Sequence, residues 1–123
     1  MKEILFRGKR INNGEWVEGN LFIPDKPDTP TQICIGTNII RITYDVIPET
    51  VGQYTGLTDR NGEKIFEGDI LIIVARKVDN APSVLLIVTD IRKICEAFKH
   101  GAKYWKVIGN IHDNPELLKG GAE

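Results

Sequence analysis

Over its first half the chain alternates apolar and polar residues with the period of a β-strand. Residues 4–8 and 15–23 read as two strands joined by Asn12-Asn13-Gly14, a composition suited to a tight connection. In the second strand Trp16, Glu18, Asn20 and Phe22 fall on one face, and Glu15, Val17, Gly19, Leu21 and Ile23 on the other, an imperfect alternation. Pro24, Pro27 and Pro30, set among Asp25, Lys26, Asp28 and Thr29, mark a stiff polar connector that cannot donate to a sheet ladder. Residues 32–36 and 38–46, rich in Ile, Thr and Tyr, form either a second strand pair or one long bulged strand.

Glycines 52, 56, 62 and 68 then punctuate the chain as turns, with Asn61-Gly62 the clearest hairpin signal, so 53–70 reads as a central hairpin element. The runs 70–75 and 84–88 are continuously apolar, which requires burial on both faces. Either they are central strands within the chain's own core, or one of their faces lies in a subunit interface. Ile91, Ile94, Cys95 and Phe98 recur at helical spacing, with Thr89 as N-cap and Gly101 as stop, and predict a helix over 90–99. Residues 103–110 return to strand character. Asn114-Pro115-Glu116 opens a short C-terminal helix that ends at Gly120.

At 123 residues, 41% hydrophobic and 27% charged, the chain has the size and composition of one globular domain, 1–123, able to bury a core without disulfides or metal. It has no apolar N-terminal segment of the secretory type and no run long enough to span a membrane, so a cytoplasmic protein without membrane contact is expected. Cys34 and Cys95 stand alone and are read as small buried apolar residues. A net charge of −1, with acids and bases interspersed, does not favour nucleic acid as a partner.

Catalytic patterns are missing. There is no HExxH, no GxSxG, no phosphate loop, and one serine, Ser83. Asp59, Glu63, Glu67 and Asp69 are the densest acidic group, but Arg60 and Lys64 are interleaved and the spacing is not that of a calcium loop. Asp59, Asn61 and Asp69 are suited to capping turns, whereas Gln53 and Glu67 are harder to explain so. Gln53, Tyr54, Asp59, Glu67 and Asp69 are therefore the candidate interface or ligand-binding residues, with no cofactor or metal assigned. Trp16, Tyr44, Tyr54 and Trp105 are read as core or rim aromatics. Arg7, Lys9 and Arg10, near Phe6 and Trp16, form a small basic group able to meet nucleic acid under an alternative reading.

Two motifs carry a resemblance. Residues 50–70, through Gln53-Tyr54-Thr55-Gly56-Leu57, Asp59, Asn61-Gly62 and Ile65-Phe66-Glu67-Gly68-Asp69-Ile70, are similar to the central signature of the YopX-like family of phage and prophage proteins. Val107-Ile108-Gly109-Asn110-Ile111 with Asn114-Pro115-Glu116-Leu117-Leu118 resembles that family's ending. The likeness spans nearly the whole chain and is weakest over 76–102; at His112 the family more often carries an aromatic. It implies an α+β fold dominated by an open, barrel-like antiparallel sheet, a homo-oligomer, and an origin in a phage or integrated element. No catalytic residue is carried over with it.

Three functions compete. The first is a non-enzymatic, homo-oligomeric accessory protein that binds a host or phage macromolecule. The second is a small nucleic-acid-binding barrel using Arg7, Lys9 and Arg10. The third is a metal-dependent enzyme using Asp59, Glu67 and Asp69.

Overall fold

The computed structural model describes residues 4–36, 39–74, 83–89, 92, 95 and 104–120. The sequence reads as one domain over 1–123; the contacts of the chain divide it into two compact units, Met1–Tyr54 and Thr55–Glu123.

The first unit is a curled antiparallel sheet. Strand β1 (Phe6–Lys9) pairs with β2 (Trp16–Phe22), with Lys9 opposite Trp16 and Phe6 opposite Gly19. The Asn-Asn-Gly connection forms as its composition demands: the Gly14 amide donates to the Arg10 carbonyl at 3.0 Å, and the Glu15 amide to Asn13 Oδ1 at 3.0 Å. β3 (Gln32–Gly36) and β4 (Arg41–Asp45) form the hairpin that the sequence left as one of two options. The strand order is β4-β3-β2-β1-β5, where β5 (Gly52–Thr58) enters antiparallel to β1 through Phe6 and Arg7.

Curling brings the end of β4 back to the end of β1 through a single bridge, Arg10 with Val46. One bridge does not make a ladder, so the sheet stays open and no closed barrel forms. Its interior is small: Ile33 and Val46 are fully buried, and Gly8 is buried with room for little more than its hydrogen, since a Cβ there would lie 3.1 Å from Val46 Cβ. A 3-10 turn, Pro48–Thr50, closes this end: Thr50 Oγ1 donates to the Ile47 carbonyl at 2.6 Å and accepts the Lys9 amide at 2.9 Å.

The second unit takes the chain from Thr55 onward. β6 (Lys64–Phe66) lies beside the latter part of β5, and a three-stranded sheet follows in the order β8-β7-β9, made of β7 (Asp69–Val74), β8 (Ser83–Ile87) and β9 (Tyr104–Asn110). β7 is the central strand, which is why its apolar run is continuous: Ile70 and Leu71, on opposite faces, are both fully buried. Each such burial is worth about 1.5–3 kcal/mol. The core joins Ile65, Leu71, Ile73 and Val88, with Leu57, Leu86, Trp105 and Val107 packed against it. β8, at the edge, leaves Leu85 exposed.

A short α-helix, α1 (Glu116–Gly120), follows β9 as the Asn-Pro-Glu sequence anticipates. The helix expected over 90–99 lies outside the described residues except for Arg92 and Cys95, which are helical and exposed. The fold among the described residues is mostly antiparallel β-sheet with very little helix, so the α+β, barrel-like expectation reduces to that coarser class. The cysteine expectation is corrected too. Both thiols are free, but Cys34 is half-buried opposite Asn20 and Thr43, on the polar side of its strand, and Cys95 is exposed.

Candidate functional site

The central signature carries a glycine in an unusual backbone conformation. Gly56 sits inside β5 at φ +88°, a conformation that L side chains rarely adopt. The buried Thr55 hydroxyl beside it donates to the Ile65 carbonyl at 2.8 Å and accepts the Leu57 amide at 3.2 Å, tying β5 to β6 across the irregularity.

Asp59, 4% exposed, closes the hairpin at the end of β5. Its Oδ1 accepts the amides of Asn61 at 2.8 Å and Glu63 at 2.9 Å, while Oδ2 accepts the amide of Val107 on β9 at 3.0 Å. Burial by itself would raise this carboxyl's pKa. The three backbone donors, helped by the charge of Lys106, outweigh it and hold the pKa below the ordinary carboxylate value. Two further bonds stitch the same turn to β9: Arg60 amide to Trp105 carbonyl at 3.1 Å, and Trp105 Nε1 to Thr58 carbonyl at 3.1 Å.

Asp69, 1% exposed, repeats the device, with Oδ2 accepting the Phe66 amide at 2.8 Å over a turn in which Gly68 adopts φ +95°. Here the Gly68 amide reaches the Val88 carbonyl at 2.7 Å, and the Gly68 carbonyl receives the Ile111 amide at 2.9 Å. Glu67, between them, is half-buried in the turn. Gln53 is half-buried on β5 opposite Phe6, and Tyr54 is buried, its amide donating to the Leu5 carbonyl at 2.7 Å. Asp59 and Asp69 thus act on the backbone. Among the described residues no three His, Cys, Asp or Glu side chains come together as a metal-holding group.

The closing motif is built in the same way. Asn110 Oδ1 accepts the amides of His112 at 3.0 Å and Asp113 at 2.9 Å, and Asn114 Oδ1 turns back to accept the Asn110 amide at 3.2 Å. A side chain at position 109 would collide with the Asn114 amide group and displace it from the Asn110 amide that it accepts.

The basic group of the first unit is divided by strand alternation. Arg7 and Lys9 share a side and flank the Trp16 ring, with the Arg7 guanidinium carbon 4.7 Å and the Lys9 ammonium 5.8 Å from its centroid. Arg10, one residue on, lies 4.5 Å from the Tyr44 centroid. It borders a cleft of about 400 Å³ that is also lined by Asn12, Gln32, Thr43, Tyr44 and Asp45. Gln32 Nε2 donates to Asp45 Oδ1 at 2.9 Å in that wall.

Sequence reasoning missed the β3–β4 hairpin as a surface. Ile39 is 92% exposed, Ile40 72%, Ile42 52% and Ile35 39%, with Ile35 directly opposite Ile42. The signal was present as Ile39-Ile40-Arg41-Ile42, four residues with three isoleucines at the start of β4, a strand exposed at four of its five positions.

A model of the YopX protein family matches residues 5–119, and the chain belongs to that family. The fold is shared with the crystal structure of protein EF1440 from Enterococcus faecalis, which is 24% identical, with 96% of this chain and 99% of that chain covered and a TM-score of 0.52. A comparison with curated proteins found no match.

Proposed function

We propose that this YopX family member is a non-enzymatic, homo-oligomeric binding module of phage or prophage origin, working in the cytoplasm of a bacterial host on a host or phage macromolecule. The observation that carries the reading is the exposed isoleucine surface of the β3–β4 hairpin, because contiguous exposed apolar side chains on a small protein mark a contact surface. The non-enzymatic part is supported by the use made of the signature acids: both oxygens of Asp59 and one of Asp69 hold backbone amides in place, so catalysis by them would require breaking the turns they form. Gln53 and Glu67, the signature side chains not used to cap a turn amide in the bonds described above, are both half-buried.

The nucleic-acid alternative draws on Arg7, Lys9 and Arg10. It is weaker because Arg7 and Lys9 are drawn onto the face of Trp16 that a base would stack upon, and Arg10 likewise caps Tyr44.

Sedimentation at ~10–100 μM separates these readings, with self-association expected at concentrations typical of modest interfaces. A monomer throughout that range removes the oligomeric part. Salt-dependent binding of a single-stranded oligonucleotide at ~50 mM salt, lost on Arg7→Ala with Lys9→Ala, would establish the alternative instead. Calorimetric binding of Mg²⁺ or Mn²⁺ that disappears on Glu67→Gln would do the same for a metal-dependent enzyme.

A further inference from the structure

The outward edge of β4 has a defined chemistry. In the β3–β4 ladder the Val46 amide donates to the Thr31 carbonyl at 3.0 Å, which makes that a hydrogen-bonded pair. By the alternation of antiparallel ladders, Tyr44 and Ile42 then direct their backbone groups to β3, and Asp45, Thr43 and Arg41 direct theirs away from it. The outward carbonyl of Asp45 is already taken, accepting the Ile11 amide at 3.0 Å. Arg41 and Thr43 remain, each presenting one N–H and one C=O at the edge of a sheet. Of the devices that normally blunt an edge strand, β4 has short length and two charged side chains, Arg41 and Asp45, but no proline, and its register with β3 is unbroken by a bulge.

Building on the self-association proposed above, we infer that the occupant of this edge is the β4 strand of a second copy of the chain, paired antiparallel about Ile42. The register follows from the two free residues. With Ile42 opposite Ile42 of the second copy, Arg41 faces Thr43 on either side of a two-fold axis, and the available amides and carbonyls of both copies are satisfied without disturbing the Ile11–Asp45 bond. A register centred on Thr43 would instead require Asp45 to pair through the carbonyl that Ile11 occupies.

Side chains agree with that register. Ile35 lies opposite Ile42 within one copy, so pairing about Ile42 produces a continuous row of Ile35, Ile42, Ile42 and Ile35 across the two sheets. The same register sets Ile40 of one copy opposite Tyr44 of the other, at the cleft of about 400 Å³ beside Arg10. On the opposite face each Arg41 has Asp45 of the second copy within diagonal reach, giving two complementary charge pairs. A contact one strand long is small, so the affinity belongs to the micromolar range.

The test uses the full chain with Cys34→Ser and Cys95→Ser as background. Single cysteines at 41, 42, 43 and 44 are oxidised mildly at ~50 μM, since a non-hydrogen-bonded antiparallel pair brings opposite Cα atoms to about 4.5 Å. Ile42→Cys is expected to give a dimer band well above the other three. Separately, Thr43→Pro, whose lost amide points away from β3, and Ile42→Lys are each expected to weaken association by at least about tenfold in sedimentation while retaining the wild-type circular dichroism spectrum. Cross-linking strongest at 43, or oligomers unaffected by both substitutions, overturns the β4 pairing and leaves the proposed self-association standing. A wild-type chain that is monomeric to ~100 μM overturns both.

Discussion

The Asp59 carboxylate accepts the Val107 amide at 3.0 Å across 48 positions of sequence, and through its other oxygen it holds the amides of Asn61 and Glu63. A single buried anion therefore closes a hairpin and fastens that hairpin to a distant strand. Val107, like Trp105 two residues before it, turns its backbone away from β7 by the alternation of the ladder, and β7 and β9 slip register just beyond it, leaving Ile108 as the bulged residue.

Asp59→Asn exchanges one acceptor oxygen for a donor, so at least one of these amides is left without its acceptor. A loss of about 1–3 kcal/mol is expected, and more for Asp59→Ala, read by urea unfolding at neutral pH.

The pH dependence follows from the direction of the Asp59 shift. Its carboxyl titrates lower in the folded chain than its ordinary value of 3.8, so the folded state favours the anion. That contribution is fully present above about pH 5, is lost as pH falls through the ordinary and then the folded value, and is absent once the group is protonated in both states. The stability gap between wild type and Asp59→Asn should narrow below about pH 4 in matched denaturant titrations.

Gly19→Ala addresses the first unit. A methyl group there would land on the Cys34 carbonyl, a backbone atom of the paired strand, so β2 and β3 must part locally. Destabilisation of about 1–3 kcal/mol is expected, with amide exchange accelerated along β3. Gly14→Ala, in open space at φ +72°, should cost less.

Leu71 and Ile108 separate core from bulge. Leu71 is fully buried in the central strand, and Leu71→Ala should cost about 2–5 kcal/mol. Ile108, 36% exposed at the bulge, should tolerate Ile108→Ser with a smaller loss of about 1 kcal/mol in the same denaturant assay.

Local rules sufficed for elements whose cause is local. The Asn-Asn-Gly connection, the hairpin at Asn61-Gly62 and the helix after Asn114-Pro115 are all written in short stretches of sequence, whereas the apolar runs 70–75 and 84–88 read alike and only the strand order makes β7 central and β8 an edge. The turn-capping role of Asp59 and Asp69 was legible on the same ground, since a carboxylate two to four residues from a turn amide reaches it without help from the fold. What came from distant parts of the chain was not legible: the Val107 amide on Asp59, the single Arg10–Val46 bridge that curls the first sheet without closing it, and the side on which Cys34 falls. The alternation of Ile42 and Tyr44 with Arg41, Thr43 and Asp45 was present in the sequence, but alternation alone does not say which strand is left at an edge. Which backbone groups are already bonded is decided by pairing between remote segments, and in β4 the Ile11 amide on Asp45 settles it.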